Sequence, residues 1–203
     1  MKKYAVLHEP GDIVTLAGTR FVVLDVERRG SLPDSLFLLA LESVGASEFG
    51  SSNNYAESDL KKAVDKWLED MGKRGLDNAK LIPREIDLTT LDGSGCYGKL
   101  SVKAAPLTLD EAREYADIIP NAERWCWLAT GWSGPSKSDG DLALYVSSGG
   151  DWSYDVCSNS YGIRPALKIP SDLLLDSADK PDLSEVPTDT LLEEIRRRVV
   201  DKA

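Results

Sequence analysis

One segment of the chain, residues 125–169, constrains the fold more than any other. Four of the five tryptophans fall within the 28 residues from Trp125 to Trp152. Short apolar runs alternate there with loops rich in glycine, serine, asparagine and aspartate, which is typical of strands joined by turns. Large aromatic side chains among small polar ones are also typical of recognition surfaces, because they give contact area at low entropic cost. The segment therefore predicts strands with exposed loops, and no catalytic constellation accompanies it.

Composition excludes two classes of partner. The chain has 203 residues, of which 42% are hydrophobic and 29% charged, with a net charge of -10. This is ordinary for a globular protein of one domain plus a tail, or of two small domains. The acidic balance argues against nucleic acid, which requires a basic patch. No stretch approaches the roughly 20 apolar residues of a membrane span, so we expect no membrane insertion.

The N-terminus begins like a signal peptide, but its apolar run, residues 4–7, is too short and is followed by His8, Glu9 and Pro10. We therefore predict a protein that is cytoplasmic as synthesised. Residence in a virion stays open, because phage proteins need no signal peptide.

The sequence offers few candidate catalytic residues. His8 is the only histidine, so any nucleophile–histidine device would depend on it. The three cysteines, Cys96, Cys126 and Cys157, lack metal-ligand spacing. Their odd number favours free thiols, with a disulfide between Cys126 and Cys157 as the alternative. We predict a protein that is not an enzyme and has no catalytic residue.

Local patterns predict several elements. Residues 12–26 predict a β-hairpin around Ala17-Gly18-Thr19, and the nearly all-apolar residues 36–42 predict a strand inside a sheet. A first helix, capped by Ser58, runs to Met71 and buries the residues at helical spacing, with Trp67 as a core anchor. A second helix begins at a capping box, Thr108 to Glu111, and extends to Ile119 before Pro120.

The composition changes after residue 170. We predict a domain over residues 1–170, an acidic proline-containing linker over 171–187 and an amphipathic helix over 188–203. So short a helix is marginal alone in water, so it must pack on the domain or on a partner, which allows a homo-oligomer.

A set of motifs resembles a family of domains of unknown function from Gram-positive bacteria and their phages. The matching motifs, over about residues 11–170, are Asn53-Asn54-Tyr55, Trp67-Leu68, Leu107-Thr108 with Glu111, Trp125-Cys126-Trp127-Leu128 and Gly162-Ile163-Arg164-Pro165-Ala166-Leu167. That family is similar to the C-type-lectin-like fold, close to the formylglycine-generating-enzyme type. The resemblance implies an α+β fold in which two helices flank small twisted antiparallel sheets, N- and C-terminal strands lie close, and loops 130–161 form the ligand face, with the C-terminal helix added. The cysteines do not stand in the enzyme's motif, so its activity is not carried over.

Two groups of residues follow from these patterns. The predicted ligand contacts are Trp132, Tyr145, Trp152, Tyr154, Asn159 and Tyr161. The predicted structural residues are Trp67, Trp127, Gly162, Arg164 and Pro165. At least one of Trp125 and Trp127 is expected to be buried, whereas exposure of Trp132 and Trp152 stays open. Gly162 permits a special backbone geometry, and Arg164 clamps loop carbonyls or, alternatively, binds a carboxylate.

No cofactor is predicted. The alternative is Ca²⁺, which takes about 6–8 oxygen ligands and could draw on loop acids and amides. The candidates are Asp139, Asp141, Asp151, Asp155 and Asn159. The sugar-binding triplets of C-type lectins are absent, so plain solvated acids are the default.

The leading hypothesis is a non-enzymatic module, encoded by a phage or prophage, that binds a cell-surface glycan or protein through loops 130–161. The second is a structural phage tail or baseplate component that contacts other virion subunits. The third is an enzyme on a formylglycine-generating-enzyme-like fold.

Overall fold

The β-branched runs near the N-terminus form the middle of a seven-stranded antiparallel sheet. The computed structural model describes residues 2–4, 8–29, 32–135, 138–171 and 173–177. The strands of this sheet are β1 (Lys2–Tyr4), β2 (Ile13–Leu16), β3 (Thr19–Arg29), β4 (Leu32–Ala40), β8 (Ala104–Ala105), β13 (Ala166–Pro170) and β14 (Leu174–Ser177). Their spatial order is β1-β14-β2-β3-β4-β13-β8.

The predicted hairpin and the predicted interior strand are both confirmed. Ala17 and Gly18 have positive φ angles of 48° and 77°, which suit the two-residue turn between β2 and β3. Strand β4 lies between β3 and β13 and is therefore an interior strand. It begins four residues before the predicted start, at Leu32, because β3 continues to pair with it as far as Arg29.

A five-stranded sheet contains the tryptophan-rich segment. Its strands are β5 (Ala46–Glu48), β9 (Cys126–Gly131), β10 (Leu142–Val146), β11 (Trp152–Val156) and β12 (Ser160–Gly162). The order is β11-β10-β9-β12-β5, with β9 and β12 parallel and the other pairs antiparallel. Strand β11 is therefore an edge strand, a position that bears on binding.

The first predicted helix is confirmed as α1 (Asp59–Lys73). The Ser58 side chain accepts a hydrogen bond from the Lys61 amide and caps its start. The helix buries one face, formed by Leu60, Val64, Trp67 and Met71.

The second helix, α2 (Leu109–Glu114), starts at the predicted capping box but is shorter than predicted. Tyr115 leaves the helix and packs edge-on against Phe37, with ring centroids 5.7 Å apart. The chain continues in turns, from which the Ile119 side chain still packs against the apolar core, whereas Ala116 is exposed. Tertiary packing of Tyr115 thus ends the helix before Pro120 can.

Residues 84–102 form a small hairpin of β6 (Arg84–Asp87) and β7 (Lys99–Val102). Residues predicted as linker are described to Ser177, and Leu174–Ser177 join the large sheet between β1 and β2. The rest of the predicted linker and the helix predicted over 188–203 lie outside the described residues.

Two apolar cores cover opposite faces of the sheets. Phe21 and Val23 belong to the first core, whereas Val22 and Leu24 belong to the second. The five-stranded sheet alternates in the same way, with Trp127 in the first core and Leu128 in the second. Burial on both faces explains why these strands are nearly continuous apolar runs. The described chain is thus mixed α/β, mostly sheet with two α-helices. None of its described helices has the length and apolarity to cross a membrane.

Candidate binding surface

Strand β11 presents three large side chains to solvent from one face. Trp152, Tyr154 and Val156 are 42%, 47% and 37% exposed. Alternate residues of a strand point the same way, so these three side chains form one row. With the adjacent Trp132 they make up the surface that we call the aromatic row.

Neighbouring side chains hold the rings of the aromatic row. The Arg113 guanidinium of α2 lies 5.5 Å from the Trp152 ring centroid, a cation–π distance. The Trp132 and Tyr154 rings are tilted by 44° with centroids 3.9 Å apart. The rings are thus exposed and also supported by contacts that limit their rotamers.

A second aromatic group lies on the opposite face of the same sheet. Across the β10–β11 pair, Trp152 and Tyr154 lie opposite Val146 and Leu144, whereas Tyr145 lies opposite Ser153. Tyr145 therefore points away from the aromatic row and into the first core. Trp125, 43% exposed, stacks on Tyr145 with centroids 4.9 Å apart and an interplanar angle of 8°.

The six predicted ligand contacts therefore fall into separate groups. Trp132, Trp152 and Tyr154 lie in the aromatic row, and Trp132 is only partly buried. Tyr145 is buried, Tyr161 packs on it at 5.0 Å, and Asn159 lies in the turn before β12. Sequence reasoning missed Arg113 and did not separate the faces. Tyr145 and Trp152 lie on opposite faces of the β10–β11 pair because Tyr145 is opposite Ser153 and Trp152 is opposite Val146. This assignment requires the strand register, which the sequence alone does not give.

Asp155 and Tyr161 are coupled beside the second group. The Tyr161 hydroxyl donates a hydrogen bond to Asp155 Oδ2. Burial, and then this bond to a carboxylate, raise the pKa of Tyr161 to about 12. The same hydrogen bond is the main cause that lowers the pKa of Asp155. The pair fixes β12 to the β11 edge.

A lowered aspartate pKa predicts a pH-dependent contribution to stability. Because the folded pKa of Asp155 lies below its unfolded value, this contribution is present above the unfolded value, about 3.9, and is lost as pH falls through the folded pKa. We expect Asp155→Asn to lower the free energy of unfolding by about 1 kcal/mol at pH 7, given partial exposure. Urea unfolding should show the difference shrinking below pH 4. Asp151→Asn, in the exposed preceding turn, is the control. A difference that persists unchanged at pH 3 would contradict the role of the carboxylate.

The predicted structural tryptophans lie in the first core. Trp67 packs against Phe21 with ring centroids 6.4 Å apart. Trp127 is 1% exposed, and its indole Nε1 donates to the Ser47 carbonyl at 3.0 Å, which joins the central strand β9 to the edge strand β5. The expectation that at least one of Trp125 and Trp127 is buried is confirmed by Trp127.

Gly162, Arg164 and Pro165 lie where the two sheets meet. The φ angle of Gly162 is not in the left-handed region, so special backbone geometry is not its reason for being glycine. A Cβ there would lie 2.8 Å from Cys126 Sγ, so close approach is the reason. Pro165 comes just before β13, and its carbonyl accepts from the Ala40 amide at 2.8 Å. Arg164 Nε donates to the Ala40 carbonyl at 2.8 Å.

Asn53 anchors the loop that carries Trp132. Its buried side-chain amide donates to the Ser133 and Leu142 carbonyls at 2.9 and 3.0 Å. Its Oδ1 accepts from the Tyr97 hydroxyl at 2.6 Å. Both ends of the loop are thereby fixed by one side chain, a role that no local pattern in the sequence indicates.

Metal-binding geometry is lacking in the described part of the chain. No group of three or more histidine, cysteine, aspartate or glutamate side chains there is arranged to hold a metal ion. Of the acids considered for Ca²⁺, Asp155 bonds Tyr161 instead. The three cysteines are free thiols, with Cys96 exposed and the other two buried.

Comparisons with known proteins add no relative: the chain matches no family model, no curated protein and no solved structure.

Proposed function

We propose that this protein is a non-enzymatic binding module, C-type-lectin-like and encoded by a Gram-positive bacterium or one of its phages. It recognises a cell-surface glycan or protein through the aromatic row. The observation that carries the proposal is the exposure of Trp152, Tyr154 and Val156 on one face of an edge strand. Exposed apolar patches of this kind mark interaction sites in soluble proteins.

The position of the row at a sheet edge favours binding. Proteins usually protect edge strands with charges or a covering element, because unpaired backbone groups attract other chains. Strand β11 instead carries two large aromatic residues and a valine on one face. A ligand can therefore meet aromatic surface and the backbone of an edge strand at one place.

The rings of the row are ordered before binding. Trp152 lies against Arg113, and Tyr154 lies against Trp132. A side chain that already occupies one rotamer loses less entropy when a ligand binds. Trp and Tyr also give large contact areas with few rotatable bonds.

The pairing of the chain's early and late strands supports the lectin-like part of the proposal. Lys2–Tyr4 pairs with Leu174–Ser177, which also pairs with β2. Close N- and C-terminal strands are what the motif resemblance implies. The Gly162-to-Leu167 motif leads from the five-stranded sheet into β13 of the large sheet.

Alanine variants of the row test the proposal. We expect labelled protein to bind intact Gram-positive cells or their purified envelope saturably, and Trp152→Ala and Tyr154→Ala to weaken binding by about tenfold or more, as truncated interface anchors do. The thermal midpoint of Trp152→Ala should fall by no more than about 3 °C, since this side chain is 42% exposed and its main contact is an exposed cation–π pair.

Trp125→Ala is the matched control. It removes an equally exposed tryptophan from the opposite face of the same sheet. Binding that survives in Trp125→Ala and is lost in the row variants supports the aromatic row. Loss only in Trp125→Ala, or no saturable binding to any surface, would overturn the proposal.

A further inference from the structure

A cavity of about 100 Å³ lies against the second core, between α2 and strand β9. Its walls are mainly apolar, and they include Leu39, Leu107, Ala112 and Leu128. Asn121, Gly150 and Trp152 also line it and are exposed, so they mark its mouth. Solvent molecules can therefore reach the cavity from the surface.

One charged side chain, Arg164, lines this apolar cavity. Arg164 is only 7% exposed, and its Nε is held by the Ala40 carbonyl. Its Nη2 has no hydrogen-bond partner among the described residues. No described carboxylate forms an ion pair with it, whereas Arg84, which is also buried, is paired with Glu111.

The neighbouring thiol supplies no negative charge. Cys126 also lines the cavity, and burial raises its pKa to about 11. The thiol is therefore neutral at pH 7, and its Sγ donates a hydrogen bond to the Arg124 carbonyl at 3.4 Å. Arg164 thus carries a positive charge that nothing described in the chain neutralises.

A buried charge without a counter-ion is unfavourable, and an anion in the cavity would relieve that cost. A guanidinium presents two parallel N–H groups that match the two oxygens of a carboxylate. The apolar walls favour a carboxylate that carries a hydrocarbon group over a strongly hydrated inorganic anion. An engineered apolar cavity of about 150 Å³ accepts benzene, so this smaller cavity suits a chain of about four carbons.

We propose that this cavity is a binding site for a small aliphatic monocarboxylate. The carboxylate accepts hydrogen bonds from Arg164, and the hydrocarbon chain lies along the apolar wall toward the mouth at Trp152. Trp152 belongs both to the mouth of this cavity and to the aromatic row, whereas Arg164 and Ala112 line only the cavity. Variants of Arg164 and Ala112 therefore test the cavity without changing the aromatic row.

Calorimetric titration of the wild-type protein with butyrate and with butyramide tests whether binding requires a negatively charged ligand. The two probes have the same size, but only butyrate is an anion. For a ligand of this size we expect butyrate to bind with a Kd of about 0.1–1 mM. Butyramide should bind at least tenfold more weakly. Equal affinities, no saturable heat with butyrate at 10 mM, or equal binding of chloride would overturn the proposal.

Two variants test the location. Arg164→Gln should abolish butyrate binding, whereas Arg124→Gln, which removes an exposed guanidinium near the same strand, should leave it unchanged. Because Arg164→Gln can fail to fold, Ala112→Leu provides a second test: it fills the cavity and keeps Arg164. We expect at least tenfold weaker butyrate binding in folded Ala112→Leu, and wild-type affinity in that variant would place the ligand elsewhere.

Discussion

Replacing Trp127 by alanine is expected to lower the free energy of unfolding by about 3–5 kcal/mol, as large-to-small changes of buried aromatic residues do. Trp127 is fully surrounded in the first core and makes edge-on or tilted contacts with the rings of Phe49, Tyr145 and Tyr161. The variant also leaves the Ser47 carbonyl without its indole donor. Chemical denaturation with urea gives the measurement.

Two further variants separate the loss of ring packing from the loss of the indole hydrogen bond to Ser47. Trp127→Phe keeps most of the ring volume and loses the N–H, so we expect a smaller loss of about 1–2 kcal/mol. Trp125→Ala, two residues away and 43% exposed, should cost about 1 kcal/mol or less. If Trp125→Ala were as destabilising as Trp127→Ala, the assignment of Trp127 to the core and Trp125 to the surface would be wrong.

Glu111→Ala is the second change with a large expected effect, a loss of about 3 kcal/mol in the free energy of unfolding. Glu111 accepts a hydrogen bond from the buried Arg84 Nη1, and its other oxygen accepts from the Thr108 amide at 2.9 Å in the capping box. Removing it leaves Arg84 buried without a counter-ion and also removes half of the helix cap. Urea unfolding at pH 7 measures the loss.

Two further variants distinguish the contribution of the Arg84–Glu111 ion pair to stability from a general effect of changing a helix residue. Glu114→Ala, on the exposed side of the same helix, should change stability by about 0.5 kcal/mol or less. Adding Arg84→Met to Glu111→Ala should recover part of the loss, because it replaces an unpaired buried charge with an apolar side chain. A double variant that is less stable than Glu111→Ala alone would show that Arg84 acts mainly through its bonds to the Ala105 and Pro106 carbonyls.

Two buried arginines of the described part of the chain, Arg84 and Arg164, differ in what surrounds their charge. Arg84 is paired with Glu111 and donates hydrogen bonds to two backbone carbonyls, so groups of the protein itself neutralise its charge and accept its hydrogen bonds. Arg164 has one backbone acceptor and lines a cavity. Similar burial therefore gives a structural residue in one place and a candidate ligand contact in the other, and only the neighbours distinguish them.

Several local elements were predictable from short-range chemistry. Gly18, with Ala17, supplies the positive φ that a two-residue hairpin turn requires. Ser58 and the Thr108–Glu111 pair cap helices through bonds that span three residues. The end of α2 was predicted too late, because the contact between Tyr115 and Phe37 that ends it joins residues far apart in the chain.

The candidate site was predictable only in part. The aromatic and polar composition of residues 130–161 drew attention to Trp152 and Tyr154, which the structure places in the aromatic row. The same composition could not separate Tyr145 and Tyr161 from them, because both faces of this sheet carry aromatic residues. Asn53 was visible only as part of a motif, since its hydrogen-bond partners Tyr97, Ser133 and Leu142 lie 44, 80 and 89 positions away.

The sequence by itself determined the periodicity, the turns and the helix caps, because those depend on residues within a few positions of one another. The tertiary structure alone decided which aromatic side chains face solvent and that Arg164 lacks a counter-ion. Strand register assigns each side chain to one of two faces, and register depends on contacts between distant strands. The charge environment of Arg164 likewise depends on which segments pack around it, such as β4, α2 and β9.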